Sequence, residues 1–184
     1  MSHDPHRDHD PSDWPRVPQH LALAVNAAAA TQGRPGSKPL SLKARALRLL
    51  AAREYSRSEL ARKLEAYEDE PGAVQRVLDE LQGKGFLNEQ RVVDSVVYRR
   101  APKLGAQRIR QELQRKGLPA QAVAQAVQDL QSTELERAHE VWRRKFPHPA
   151  ADPRERVRQM RFLAARGFGA DVIRRVVSGL EADE

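Results

Sequence analysis

The sequence predicts an all-α protein: three tandem three-helix repeats stacked into a curved, elongated array, preceded by a flexible N-terminal tail. Three observations predict it. The first is a period. Ala73-Val74, Val77-Leu78 and Leu81 return as Ala122-Val123, Ala126-Val127 and Leu130, then as Val172-Ile173, Val176-Val177 and Leu180, at offsets of 49 and 50 residues. A fixed period of this size marks stacked helical units, which usually present an extended surface to a partner. The second is spacing: β-branched residues recur at helical rather than alternating intervals, so nothing reads as a strand. The third is punctuation, because Gly and Pro fall where three helices per unit must end.

The elements follow in order. Residues 1–40 are rich in Pro, Asp, His and Gly and hold no sustained apolar period, as expected of a tail. Repeat 1 takes 41–87. Ser41 is its first N-cap, ahead of Leu42, Ala46, Leu49 and Leu50 at helical spacing. Ser56 or Ser58 caps the second helix, Pro71 suits the first turn of the third, and Gly83 and Gly85 end it. Repeat 2 takes 88–131. Asn88 caps a helix through Val92, Val93, Val96 and Val97 that Pro102 limits. Gly105 to Lys116 is the second helix, stopped by Gly117, and Pro119 to Gln131 the third. Repeat 3 takes 132–184. It opens at Thr133, runs through Val141 and Trp142 to Phe146, and breaks at Pro147 and Pro149. Asp152-Pro153 starts the next helix, Gly167 ends it, and Gly169 or Ala170 to Leu180 closes the array. Each unit is too small to bury a core alone, so the expectation is that neighbours stack into one rod of about 140 residues.

Composition narrows the chemistry. The 184 residues carry 32 Lys and Arg against 25 Asp and Glu, for a net charge of +7. Residues 91–130 hold eight basic and three acidic groups, so five of the seven excess charges sit in the middle unit. Such an excess draws polyanions to one surface. Cysteine is absent, which removes disulfides, thiolate metal sites and a cysteine nucleophile and is compatible with a cytoplasmic home. Leu21 to Ala30 is apolar, but Asp4, Asp8, Asp10 and Asp13 before it have the wrong sign for a secretory leader, and the run is too short to span a bilayer.

No catalytic constellation is present, nor a nucleotide or zinc-hydrolase signature, so no enzyme, cofactor or small-molecule substrate is expected. His3, His6 and His9 among acidic residues have metal-ligand chemistry, but in a segment without ordering signals they read as a polar tail and no metal site is assigned. Glu134, Glu136 and Glu140 read as a solvated helix face. Phe86, Trp142, Phe162 and Phe168 read as core.

The strongest polar feature is Tyr98-Arg99-Arg100, followed by Lys103, Arg108, Arg110, Arg115 and Lys116. On the helix after Gly105, Ile109 and Leu113 define the buried stripe, while Arg108 and Arg115 share another face. The planar donor fork of Arg suits phosphate and carboxylate. Helix-dipole compensation also accounts for Arg99, Arg100, Arg115 and Lys116, so both readings stay open. Arg154, Arg158, Arg161 and Arg166 form a secondary basic surface. Tyr98, beside two arginines, is the aromatic nominated for a partner contact.

At these residues the chain resembles the RecX family, bacterial regulators of the RecA recombinase, over about 41–181. The matching words are Ser58-Glu-Leu-Ala-Arg-Lys-Leu64, Val77-Leu-Asp-Glu-Leu81 with Gly85-Phe-Leu87, Gly105-Ala-Gln-Arg-Ile-Arg-Gln-Glu-Leu113 with Lys116-Gly117, and Arg161-Phe-Leu163 with Arg166-Gly-Phe168. Their order and spacing are specific where each alone is weak. The first unit departs from the pattern in having Tyr67-Glu68 where a Lys-Gly pair usually stands. Asn88-Glu89 replaces an acidic pair, and Val92 stands where an aromatic is common. The resemblance implies a non-enzymatic negative regulator without cofactor, bound in the groove of the RecA–DNA filament. It also implies inhibition of ATP hydrolysis, strand exchange and filament growth. The partners it implies are the RecA filament and DNA, single-stranded and also double-stranded, with no membrane. The runner-up is a helical DNA-binding transcription or nucleoid factor acting without RecA. A salt-tolerant protein scaffold is the third reading.

Overall fold

The computed structural model describes residues 39–179. Among them are nine α-helices and no strand. We label them α1 (Leu42–Ala52), α2 (Arg57–Leu64), α3 (Ala73–Gly83), α4 (Glu89–Arg100), α5 (Ala106–Arg115), α6 (Ala120–Ser132), α7 (Glu134–Arg143), α8 (Pro153–Ala164) and α9 (Ala170–Ser178). The expected apolar run Leu21–Ala30, the histidines of the tail and Leu180 lie outside the described residues.

Short polar side chains start four of the nine helices. Ser41 Oγ accepts from Ala44 N at 3.3 Å, Asn88 Oδ1 from Arg91 N at 3.1 Å and Asp152 Oδ1 from Glu155 N at 2.8 Å. Of the two serines open to cap α2, Ser56 does so. Its Oγ accepts from Glu59 N at 3.1 Å while Glu59 Oε2 accepts from Ser56 N at 3.2 Å, satisfying two otherwise orphaned donors. One start differs from expectation. Pro71 lies outside α3, which begins at Ala73 after Gly72 at φ 78. Glu68 supplies the missing acceptor by taking Val74 N at 3.1 Å.

Three helices end alike. Gly85, Gly117 and Gly167 hold φ of 72, 70 and 81. Behind each, a backbone N–H reaches five residues back: Phe86 N to Leu81 O, Leu118 N to Leu113 O and Phe168 N to Leu163 O. The left-handed glycine and the apolar residue behind it form a stop that satisfies terminal carbonyls.

The expectation that no unit buries a core alone is corrected by the packing. There are three separate cores. Leu60, Leu64, Leu78 and Leu81 centre the first, Val96, Ile109 and Leu113 the second, and Ala138, Leu163 and Val177 the third. The three amphipathic helices of each unit turn their stripes onto one another. What remains for the junctions is polar.

The junctions share one geometry. The C-terminus of each unit's second helix docks on the N-terminus of the preceding unit's second helix, so α8, α5 and α2 lie head to tail. At the first junction Ser56 Oγ donates to Lys116 O, and Lys116 Nζ meets Glu59 Oε1 at 2.8 Å with both side chains 13% exposed. Arg91 reinforces it, reaching Glu54 at 2.9 Å and the carbonyls of Gly85 and Phe86 at 3.1 and 2.9 Å. At the second junction Gly105 N donates to Arg166 O at 2.9 Å and Gln107 N to Gly167 O at 3.2 Å. At this second junction free N–H groups at one helix start meet free carbonyls at another's end, which aligns the dipoles favourably.

This geometry explains the departure at Tyr67-Glu68. The lysine and glycine at 116–117 and the arginine and glycine at 166–167 occupy the docking position, but no described unit precedes α2. Tyr67 lies instead under the Arg45 guanidinium at 3.9 Å, and Glu68 serves α3.

Glu59 makes the first junction pH-sensitive. Burial pushes its carboxyl up, but the hydrogen bonds from Lys116 and Ser56 and the charges of Lys116 and Arg53 together hold it below its ordinary 4.5. A carboxyl depressed on folding stabilises above its unfolded value and stops doing so as pH falls through its folded value. The Glu59 contribution is therefore whole above pH 4.5 and drains below it. In a carboxylate NMR titration, Lys116→Met is expected to move the Glu59 midpoint upward. An unmoved midpoint would mean the pair does not form in solution.

Candidate nucleic-acid interface on the middle unit

The cations of the middle unit divide into two sets. Lys116 and Arg91 face the first unit and are consumed by the junction. Lys116 is thereby removed from the expected binding surface: it is held by Glu59 and nearly buried, because the docking glycine beside it brings α5 against α2. A Cβ at Gly117 would lie 2.5 Å from Ser58 Oγ. Arg100 is half engaged, its Nε 2.9 Å from Glu112 on α5 while its side chain stays 50% exposed.

The second set points outward. Arg99, Lys103, Arg108, Arg110 and Arg115 are exposed, and none forms an ion pair among the described residues. Arg99 and Arg115 curl back to the carbonyls of Ser95 and Gln111 on their own helices, at 3.0 and 3.4 Å. Those bonds are easily exchanged for phosphate oxygens. Arg108, Gln111 and Arg115 share one face of α5, as their spacing predicts. Tyr98 is 57% exposed at the end of α4. It lines a groove between α4 and α6.

The secondary basic set divides in the same way. Arg154, Arg158 and Arg161 are exposed on α8. Arg158 occupies the position 50 residues after Arg108, so the repeat puts an exposed cation at the same register on α8 as on α5. Arg166 is turned inward. Its guanidinium covers the Phe162 ring at 3.6 Å and donates to Phe162 O at 3.1 Å, and its own carbonyl belongs to the junction.

Two residues central to this arrangement were read differently from sequence. Glu134 is not on a solvated face; it is 6% exposed, and its Oε1 accepts from Ala106 N at 2.8 Å, capping α5 from the next unit. Its spacing from Glu136 and Glu140 hid this, since α5's own N-cap is a glycine without an acceptor. Arg137 was not singled out. Its guanidinium donates to the carbonyls of Ala101, Leu104 and Leu130 at 2.8–3.0 Å, tying α4, α6 and α7 together. Burial lowers its pKa and the neighbouring Glu134 charge opposes that; the group stays protonated.

Among the described residues no group of His, Asp or Glu is set to hold a metal, and no helix is long and apolar enough to cross a membrane. Comparison with known proteins returns the same three-unit plan. The models of the first, second and third three-helix domains of RecX match residues 43–81, 88–127 and 132–177. A Leptothrix cholodnii protein named Regulatory protein RecX is 57% identical over 138 residues, covering 75% of this chain and 88% of its own. One from Ralstonia nicotianae with that name is 44% identical over 145 residues, covering 79% and 91%. A crystal structure of RecX from Lactobacillus salivarius superposes with a TM-score of 0.61 at 17% identity, covering 88% of this chain and 97% of that one. At that identity the likeness concerns the fold.

Proposed function

Because the chain belongs to the RecX family of regulatory proteins, we propose that it is a negative regulator of RecA that binds along the groove of the RecA–DNA filament. In this reading the array bridges protomers and opposes ATP hydrolysis, strand exchange and filament growth. The observation that carries it is the set of exposed cations that form no ion pair among the described residues: Arg99, Lys103, Arg108, Arg110 and Arg115 on the middle unit, with Arg154, Arg158 and Arg161 on α8. Guanidinium forks repeated along successive units match a repeating line of phosphates. The partners are the RecA filament and the DNA within it, and the action is binding, with no bond made or broken by this chain.

The deciding experiment is RecA ATPase on single-stranded DNA, with this protein well below RecA in amount and DNA in excess. Inhibition at such ratios is expected, since competition for DNA is ineffective there. Arg108→Glu with Arg110→Glu is expected to weaken binding and flatten its salt dependence, which scales as roughly −0.7 per single-strand phosphate neutralised. An unchanged affinity and salt slope would remove α5 from the interface. No inhibition, with specific duplex binding retained, would favour the regulator that acts without RecA.

A further inference from the structure

The middle unit has a second face of opposite character. Between α4 and α6 runs a groove of ≈ 440 Å³ floored by Val97, Ala122, Ala126 and Leu130, with Tyr98 along it. No residue of α5 lines it, so it lies on the side of the unit away from the outward arginines of that helix. Its rims are acidic: Asp94 on α4 and Asp129 on α6, both exposed. Residues 91–130 contain three acidic groups, and the third, Glu112, is taken by Arg100. Both carboxylates left over therefore border one apolar groove in the most basic part of the chain.

Among the described residues neither rim carboxylate has a cation of its own. Each accepts from the glutamine one turn earlier, Gln90 to Asp94 at 2.9 Å and Gln125 to Asp129 at 2.8 Å, and neither forms an ion pair among the described residues. The first unit provides an internal comparison. Glu80 there holds the same register as Asp129, and Lys43 crosses from α1 to meet it at 2.6 Å. In the middle unit no lysine or arginine makes that crossing.

We propose that the α4–α6 groove is a protein-docking site, and that its occupant is an amphipathic segment of a partner protein with small apolar side chains flanked by Lys or Arg. The apolar floor takes the anchors and the rim carboxylates take the flanking cations. Nucleic acid is repelled by the same rim. The middle unit then has two faces, one cationic for phosphate and one acid-rimmed for protein, and binding both at once adds their free energies through effective concentration. The groove is independent of the cationic face used in the reading above, so each stands or falls separately.

The test uses the full chain and two fluorescent peptides of one amphipathic design, Leu and Ala on one face, with Lys on the other in one peptide and Glu in its counterpart. By anisotropy the Lys peptide is expected to bind despite the net positive charge of the protein, and the Glu peptide not to bind. Asp94→Lys with Asp129→Lys is expected to weaken the Lys peptide tenfold or more while single-stranded DNA affinity holds or rises. Asp94→Asn with Asp129→Asn should give an intermediate loss, with unchanged helicity by circular dichroism. Failure of the Lys peptide to bind, or binding indifferent to both variants, overturns the proposal. So does a loss of DNA affinity in the lysine variant, which would mean that the groove is not independent of the cationic face. Self-association in sedimentation that the lysine variant abolishes would make the occupant a second copy and equally overturn it.

Discussion

Alanine at Gly105 is expected to separate the second and third units without disturbing the helix that Gly105 begins. The local conformation, φ −76 and ψ 165, is open to any residue, so no backbone strain is involved. The conflict is tertiary. A Cβ on Gly105 would fall closer than 3.0 Å to the carbonyl of Gly167 and to Phe168 N, and these are backbone atoms that no rotamer change can move. Docking must open, which sacrifices the hydrogen bonds from Gly105 N and Gln107 N. Overpacking of about 1–3 kcal/mol and two hydrogen bonds of about 0.5–1.5 kcal/mol each suggest a cost of about 3 kcal/mol. In a protein of this size that lowers the melting temperature by roughly 2–4 °C per kcal/mol. Small-angle scattering should show an increased radius of gyration. Gly83→Ala is the control, because its Cβ would meet nothing within 4 Å. Equal effects of the two substitutions would refute the junction as described.

Arg137→Met is expected to destabilise the meeting point of α4, α6 and α7. It retains most of the aliphatic stem and removes the fork that serves the carbonyls of Ala101, Leu104 and Leu130. Three part-buried acceptors lose their donor, and Glu134 loses the cation beside it. Leaving part-buried carbonyls without their donor costs about 1–3 kcal/mol. Arg137→Lys should rescue little, because one ammonium cannot span three carbonyls on the end of α4, the following loop and the end of α6. Thermal unfolding of the three proteins checks this. A lysine variant as stable as the parent would reduce the role of Arg137 to charge alone.

Much of this fold was legible in the sequence because its signals are local. Ser41, Asn88 and Asp152 announce helix starts through hydrogen bonds three residues long, and Gly117 and Gly167 announce ends through their backbone freedom. The apolar registers of α3, α6 and α9 repeat because the same face must be buried in each unit. The candidate interface was legible only in part. Arg108, Arg110 and Arg115 are exposed, as their distance from the Ile109–Leu113 stripe requires. Lys116 and Arg166 look equivalent to them in sequence but are absorbed by contacts 57 and four residues away. The Gln90–Asp94 and Gln125–Asp129 pairs were a visible signal, the same four-residue spacing on two helices. Their meaning depended on knowing that the helices face each other.

The sequence by itself determined the class, the number of units and the place of each helix, since capping, glycine stops and amphipathic period act over a few residues. Tertiary structure alone decided which polar residues are spent inside the protein. Glu59, Glu134, Arg137 and Lys116 differ from their exposed neighbours in what lies opposite them, not in any local pattern. Desolvation and hydrogen bonding across junctions are set by residues dozens of positions away. The surface left for partners is what remains after those long-range pairs have formed.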